Sequence, residues 1–159
     1  MKLAIENVSK EVFQSYGQLI EMPVKDDPAT AVEHVTVGKQ QAMFSIKGET
    51  EVGVLKIKKQ DMVFDQLENH FKTATGIICL DGDCVIAVAP PSDDIPNVDT
   101  LKAYTIPQGQ LFVLAEKCWH SATYPIDKDE ITLLIIFQKD ALDNDTVFED
   151  ISESVELTF

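Results

Sequence analysis

The chain has 159 residues and a mass of 17.7 kDa, with 13 lysines, no arginine and 27 acidic residues, giving a formal charge of −14 at neutral pH. With 45% hydrophobic and 25% charged residues it has the composition of a folding chain, long enough to bury roughly two thirds of its unfolded surface as a single domain over 1–159. A pI near 4.4 without a guanidinium group argues against nucleic acid or an anionic membrane as partner, because both require clustered cations, and points to small molecules or protein.

Residues 2–6 read as a first strand. Ser9 is placed to cap a short helix through Val12, Phe13 and Tyr16, with Gly17 ending it in a left-handed conformation. From Ala42 onward the chain is a series of short apolar or alternating runs, at 42–46, 52–57, 62–69, 76–80, 84–89, 101–106, 110–114 and 131–137. Runs of strand length at this spacing predict a β-sandwich or barrel. Leu-Asp-Gly-Asp at 80–83 predicts a tight hairpin turn, and 90–94 and 107–109 predict loops. The acidic stretch 139–150 lacks strand patterning and predicts a surface connection or short helix before a last strand at 154–159. The two terminal strands are expected to hide their edges by pairing with each other or across a homodimer.

Cys79, Cys84 and Cys118 are odd in number and form no Cys-x-x-Cys pair, as expected of reduced thiols in a cytoplasmic protein. The N-terminal residues lack the apolar core of a secretory leader, and no run approaches the length of a membrane span. Phosphate loops, dinucleotide fingerprints and a Gly-x-Ser-x-Gly elbow are likewise missing from the sequence.

Three histidines remain as carriers of chemistry. His34 lies in a polar stretch and reads as a solvated surface residue. His70 ends a run in which period-two alternation sets Gln66, Glu68 and His70 on one face. Either Glu68 orients His70, or both coordinate a divalent metal ion, or the strand simply ends in water. His120 follows the single tryptophan, Trp119. Burial beside that ring would keep the imidazole neutral near pH 7, and the plainer alternative is a rim histidine next to a core tryptophan. A substrate carboxylate would need a cation, which only lysine can supply here; Lys56, Lys72, Lys102 and Lys117 are the candidates.

Taken together, these segments resemble the ureidoglycolate lyase family of small cupin-like proteins. The resemblance runs through Glu11–Glu21, which is similar to the family's opening "F-x-x-Y-G-x-V-I-E", and through Leu67-Glu68-Asn69-His70, similar to "L-E-R-H". Gly82-Asp83 stands at the family's Gly-Glu. Val88-Ala89-Pro90 with the stretch from Ile95 to Tyr104 resembles "V-A-P…P-D-L-S-T-L-R-A-F", and Trp119-His120 resembles the closing "G-x-W-H". The chain departs from the pattern at Ala115 in place of a histidine, Thr75 in place of Gln, Asn69 and Lys102 in place of Arg, and Ser121 where a second histidine often follows.

The resemblance implies an all-β, cupin-like double-stranded β-helix barrel with a short N-terminal helix. It also implies elimination of urea from ureidoglycolate to leave glyoxylate, a step of allantoin and purine nitrogen catabolism. His120, His70 and Glu68 would be the catalytic residues, with Lys117, Lys102 and Trp119 against the substrate. A divalent metal ion, with His70 and His120 as ligands, is the candidate cofactor. Two rivals stand beside this reading: a non-catalytic cupin that binds another small carboxylate-bearing metabolite, favoured by Ala115 and Ser121, and an enzyme on the same barrel acting on a different α-hydroxy or ureido acid.

Overall fold

The computed structural model describes residues 1–20, 34–35, 38 and 41–159. In chain order the elements are β1 (Lys2–Asn7), α1 (Lys10–Phe13), β2 (Gly17–Leu19), β3 (Thr50–Lys58), β4 (Val63–His70), β5 (Thr75–Cys79) and β6 (Cys84–Ala89). After a 3-10 turn (Val98–Thr100) come β7 (Lys102–Ile106), β8 (Leu111–Leu114), β9 (Trp119–His120), β10 (Tyr124–Pro125), β11 (Glu130–Gln138), α2 (Ala141–Asn144) and β12 (Thr146–Thr158). No helix among the described residues is long and apolar enough to cross a membrane.

The described strands form two sheets. Seven lie in the order β10-β6-β7-β1-β12-β4-β9, and β9 also pairs with β6, so this sheet returns on itself; five lie in the order β2-β8-β5-β11-β3. The terminal strands do pair with each other. β1 runs parallel to β12 on one side and to β7 on the other, so both termini are drawn into the sheet interior.

Alternation decides which residues fill the space between the sheets. On β11, Ile131, Leu133, Ile135 and Phe137 are buried while the residues between them are half-exposed, and β3 pairs along the whole of this strand. β6 is buried on both faces because it separates two cores. Cys84, Ile86 and Val88 join Phe13, Phe112 and the β11 residues in the first. Val85, Ala87 and Ala89 join Leu67, Trp119 and Leu157 in the second. A break in the β4–β12 ladder, from Gln66↔Asp150 to Phe64↔Val155, lets Phe64 and Leu67 reach the same core despite their opposite parity.

Several expectations are corrected. The run at 42–46 forms no strand; the side chain of Gln18 brackets it instead, donating to the Met43 carbonyl at 2.6 Å and accepting from the Met43 amide at 2.8 Å. The segment at 80–83 is not a hairpin turn, because β5 and β6 belong to different sheets. It is a crossover held by the Asp81 carboxylate, which accepts from the amide and hydroxyl of Thr132 at 2.7 and 2.9 Å. Ser9 does cap α1 through the Val12 amide, but the helix stops at Phe13, and Gly17 opens β2 rather than capping the helix. The last strand begins at Thr146, ahead of the expected 154.

Candidate active site

Glu68 and His70 stand two residues apart on β4 and face the same way, and the register places His120 of β9 directly opposite Glu68. The three side chains meet. Glu68 Oε1 lies 3.3 Å from His70 Nε2, Glu68 Oε2 lies 3.7 Å from His120 Nε2, and the two rings are 5.6 Å apart. Both imidazoles are buried and Glu68 is half-buried.

Backbone contacts hold this arrangement from behind. His120 Nδ1 faces the Cys118 carbonyl at 3.1 Å, which makes Nδ1 the protonated nitrogen and turns the Nε2 lone pair toward Glu68. The loop leading to β9 passes Lys117 in a left-handed conformation, φ 67°. Its amide donates to the His70 carbonyl at 2.8 Å, and its carbonyl accepts from Asn69 Nδ2 at 3.1 Å. Just past His70, the buried Asp145 carboxylate accepts from the amides of Phe71 and Lys72 at 3.2 and 2.8 Å. One loop and one capping carboxylate therefore set the end of β4 on which His70 sits.

The environment sets the charges of Glu68 and His120 apart. Burial alone would raise the Glu68 pKa, but the hydrogen bond from His70 and the electrostatic pull of the two neighbouring imidazoles outweigh it and leave the carboxyl below its ordinary value. For His120 burial prevails over the pull of Glu68 and lowers the imidazole pKa, keeping the ring neutral. The result is an ionised carboxylate beside an imidazole with an open lone pair.

These three side chains open into a cavity of about 150 Å³ between the two sheets, smaller than the roughly 300 Å³ at which drug-sized sites begin. The structure does not bring the other expected substrate residues there. Lys117 Nζ lies 2.6 Å from Asp93 and Lys102 Nζ lies 3.7 Å from Glu6, both at the surface. Trp119 points to the opposite face of β9 from His120, into the second core, with its indole donating to the Ser92 carbonyl. Among the described residues no lysine lines the cavity. The Ala115 amide bonds the Tyr16 carbonyl in the loop, the Ser121 hydroxyl is committed to Ala87 and Ala122, and His34 is exposed. Thr75, noted in the sequence only as a departure, does line the cavity; period-two alternation from Ile77 along β5 is the signal that would have found it.

One carboxylate oxygen and one nitrogen from each histidine lie within 4.8 Å of one another. Mixed imidazole and carboxylate donors suit first-row divalent ions, and the Cys118 carbonyl supplies the outer contact that holds a ligating imidazole in orientation. The residues therefore fit such an ion. If they hold it, Glu68→Gln is expected to weaken Mn²⁺ binding at least about tenfold in titration calorimetry, given that outer contacts alone are worth roughly 10–100-fold. An unchanged affinity would place the ion elsewhere.

A barrel of strands closed over a small pocket with imidazole and carboxylate donors defines a cupin-like protein. The sequence narrows this class: residues 1–156 match the family described as Ureidoglycolate lyase. The chain belongs to that family, which is one of carbon–nitrogen lyases. No curated protein matches it at a significant level. Among solved structures, a dTDP sugar isomerase from Desulfovibrio desulfuricans G20 is similar at 12% identity and a TM-score of 0.54, over 86% of this chain and 85% of that one. A structure concerned with the Mn(II) centres of Bacillus subtilis oxalate decarboxylase matches at 13% identity and a TM-score of 0.43, over 67% of this chain. The chain spans only 23% of that protein's length.

Proposed function

We propose that the protein eliminates urea from ureidoglycolate to give glyoxylate, in the cytoplasm and as a step of allantoin catabolism. The observation that carries the reading is the meeting of Glu68, His70 and His120 in one pocket within a chain of the ureidoglycolate lyase family. The reaction is the collapse of a carbinolamide: the hydroxyl loses its proton, a carbonyl forms as the carbon–nitrogen bond breaks, and the departing nitrogen gains a proton. His120, neutral and with Nε2 turned into the pocket, takes the hydroxyl proton. His70, as the imidazolium hydrogen-bonded to the ionised Glu68 that orients it, gives a proton to the urea nitrogen; the proton held by His120 then passes by way of Glu68 to His70, which restores both rings. A divalent ion on the same three donors would instead supply the positive charge that a substrate carboxylate meets and would stabilise the developing oxyanion.

An imidazole nitrogen whose lone pair is on an ion has none left for a proton, so the two uses of the site compete. Urea release from ureidoglycolate, followed with chelator and with added Mn²⁺, tests the reading. Release in either condition supports it, and failure in both defeats it.

Net charge makes a further prediction. A protein of charge −14 repels an anionic substrate at long range. Raising ionic strength from about 0.01 to 0.15 M shortens the screening length from roughly 30 to 8 Å. kcat/KM is therefore expected to rise a few-fold over that interval in stopped-flow or steady-state assays. A fall with salt would mean that a local positive field guides the substrate.

A further inference from the structure

The pocket has two chemically different walls. One carries Glu68, His70 and His120. The other is hydrocarbon, with Leu55 and Ile57 from β3 and Leu133, Ile135 and Phe137 from β11 all turned inward. Leu142 of α2 also lines the pocket although it is 48% exposed, so the apolar lining continues to a residue open to solvent. Thr75 interrupts the hydrocarbon on the sheet of β3 and β11, from β5 beside β11; it is 7% exposed, and its Oγ1 is buried without a hydrogen-bond partner. His70 Nδ1 is buried and unpartnered in the same way. Buried polar atoms left unpaired are costly, and these two belong to residues lining one cavity.

Ureidoglycolate matches only half of this. Its reacting carbon bears a carboxylate, a hydroxyl, a ureido group and a hydrogen, so none of its substituents gains from an aliphatic wall, and a polar one placed there would lose its hydrogen bonds to water unreplaced. We infer, resting on the lyase reading above, that the pocket is built for carbinolamide acids whose reacting carbon carries a short aliphatic chain. That chain lies on the β3–β11 wall, and Thr75 Oγ1 bonds a polar group at the reacting carbon. The chemistry balances as in the parent reaction: the hydroxyl proton goes to a base, the carbon–oxygen double bond forms as the carbon–nitrogen bond breaks, and the urea nitrogen takes a proton. The products are urea and an α-keto acid with a side chain, in place of glyoxylate.

The product series supplies the probes. Glyoxylate, pyruvate, α-ketobutyrate and α-ketoisocaproate are titrated calorimetrically against the full chain, with Mn²⁺ and with chelator, alongside the urea-release assay. Each methylene buried on the wall is worth about fourfold in affinity, so α-ketoisocaproate is expected to bind at least about thirtyfold more tightly than glyoxylate. Leu142→Ser, at a half-exposed position where folding is not at stake, is expected to reduce that preference severalfold with Mn²⁺ affinity unchanged. Thr75→Val removes the orphaned hydroxyl at constant shape, so it is expected to raise the melting temperature of the free protein while weakening α-keto acid binding. Glyoxylate binding as tightly as the branched acid, with urea released from ureidoglycolate, would overturn the inference and leave the lyase reading standing. Absence of both urea release and α-keto acid binding would overturn the two together.

Discussion

His120→Ala is expected to cut urea release from ureidoglycolate at least about a hundredfold while the protein stays folded, since a positioned proton-transfer group contributes on the order of 10²–10⁴ in rate. The fold should survive because the ring already borders the cavity, so its removal enlarges an existing space rather than opening a new one in packed hydrocarbon. The variant does lose one contact, from Nδ1 to the Cys118 carbonyl, worth about 1 kcal/mol. His120→Asn separates this contact from the chemistry, because its side-chain amide can donate to the same carbonyl but has no nitrogen lone pair to accept a proton. Both variants should fall together. Activity retained in His120→Asn would show that Nε2 is not the proton carrier and that orientation of the loop was what mattered. A second arm uses His70→Ala: two groups that serve one proton circuit lose activity non-additively, so the double variant should be little worse than either single one. Fully multiplicative losses would assign the two rings to separate tasks.

How much of this was legible in the sequence follows from the range of the interactions involved. The inward stripes of β3 and β11 and the pairing of Glu68 with His70 are period-two patterns within one strand, and a strand's two faces can be read from its own residues. The approach of His120 to Glu68 depends on the β4–β9 register, a contact between residues far apart in the chain that no local pattern encodes. β9 and β10 have two residues each, too short for any alternation to show. The lysines failed for a related reason. Lys102 begins β7 at an exposed position and Lys117 sits in a turn whose backbone is occupied by His70 and Asn69, so charge alone could not say which way either pointed. At 80–83 the local turn chemistry predicts a hairpin, whereas the strands on either side belong to different sheets.

The second large effect is expected at a residue without a side chain. Gly17→Ala should destabilise the protein by about 3 kcal/mol or more, read as a lower guanidinium chloride midpoint at unchanged slope. A Cβ at this position would stand 1.8 Å from the Val113 carbonyl oxygen and 2.9 Å from its carbon, and both are backbone atoms that no rotamer change can move aside. The obstacle is the close approach of β2 to β8, where Gly17 pairs with Leu114, and the φ of 157°, which residues with a side chain rarely adopt, adds backbone strain to it. The consequence should reach the pocket. Tyr16, one residue earlier, accepts from the Ala115 amide at 2.9 Å, and Ala115 opens the loop whose Lys117 amide grips the His70 carbonyl. Displacing β2 from β8 therefore pulls on the segment that seats His120 against Glu68. Urea release measured well below the variant's unfolding midpoint should consequently drop by more than the unfolded fraction accounts for. A variant that is destabilised yet fully active per folded molecule would show that the β2–β8 contact supports the barrel without governing the site.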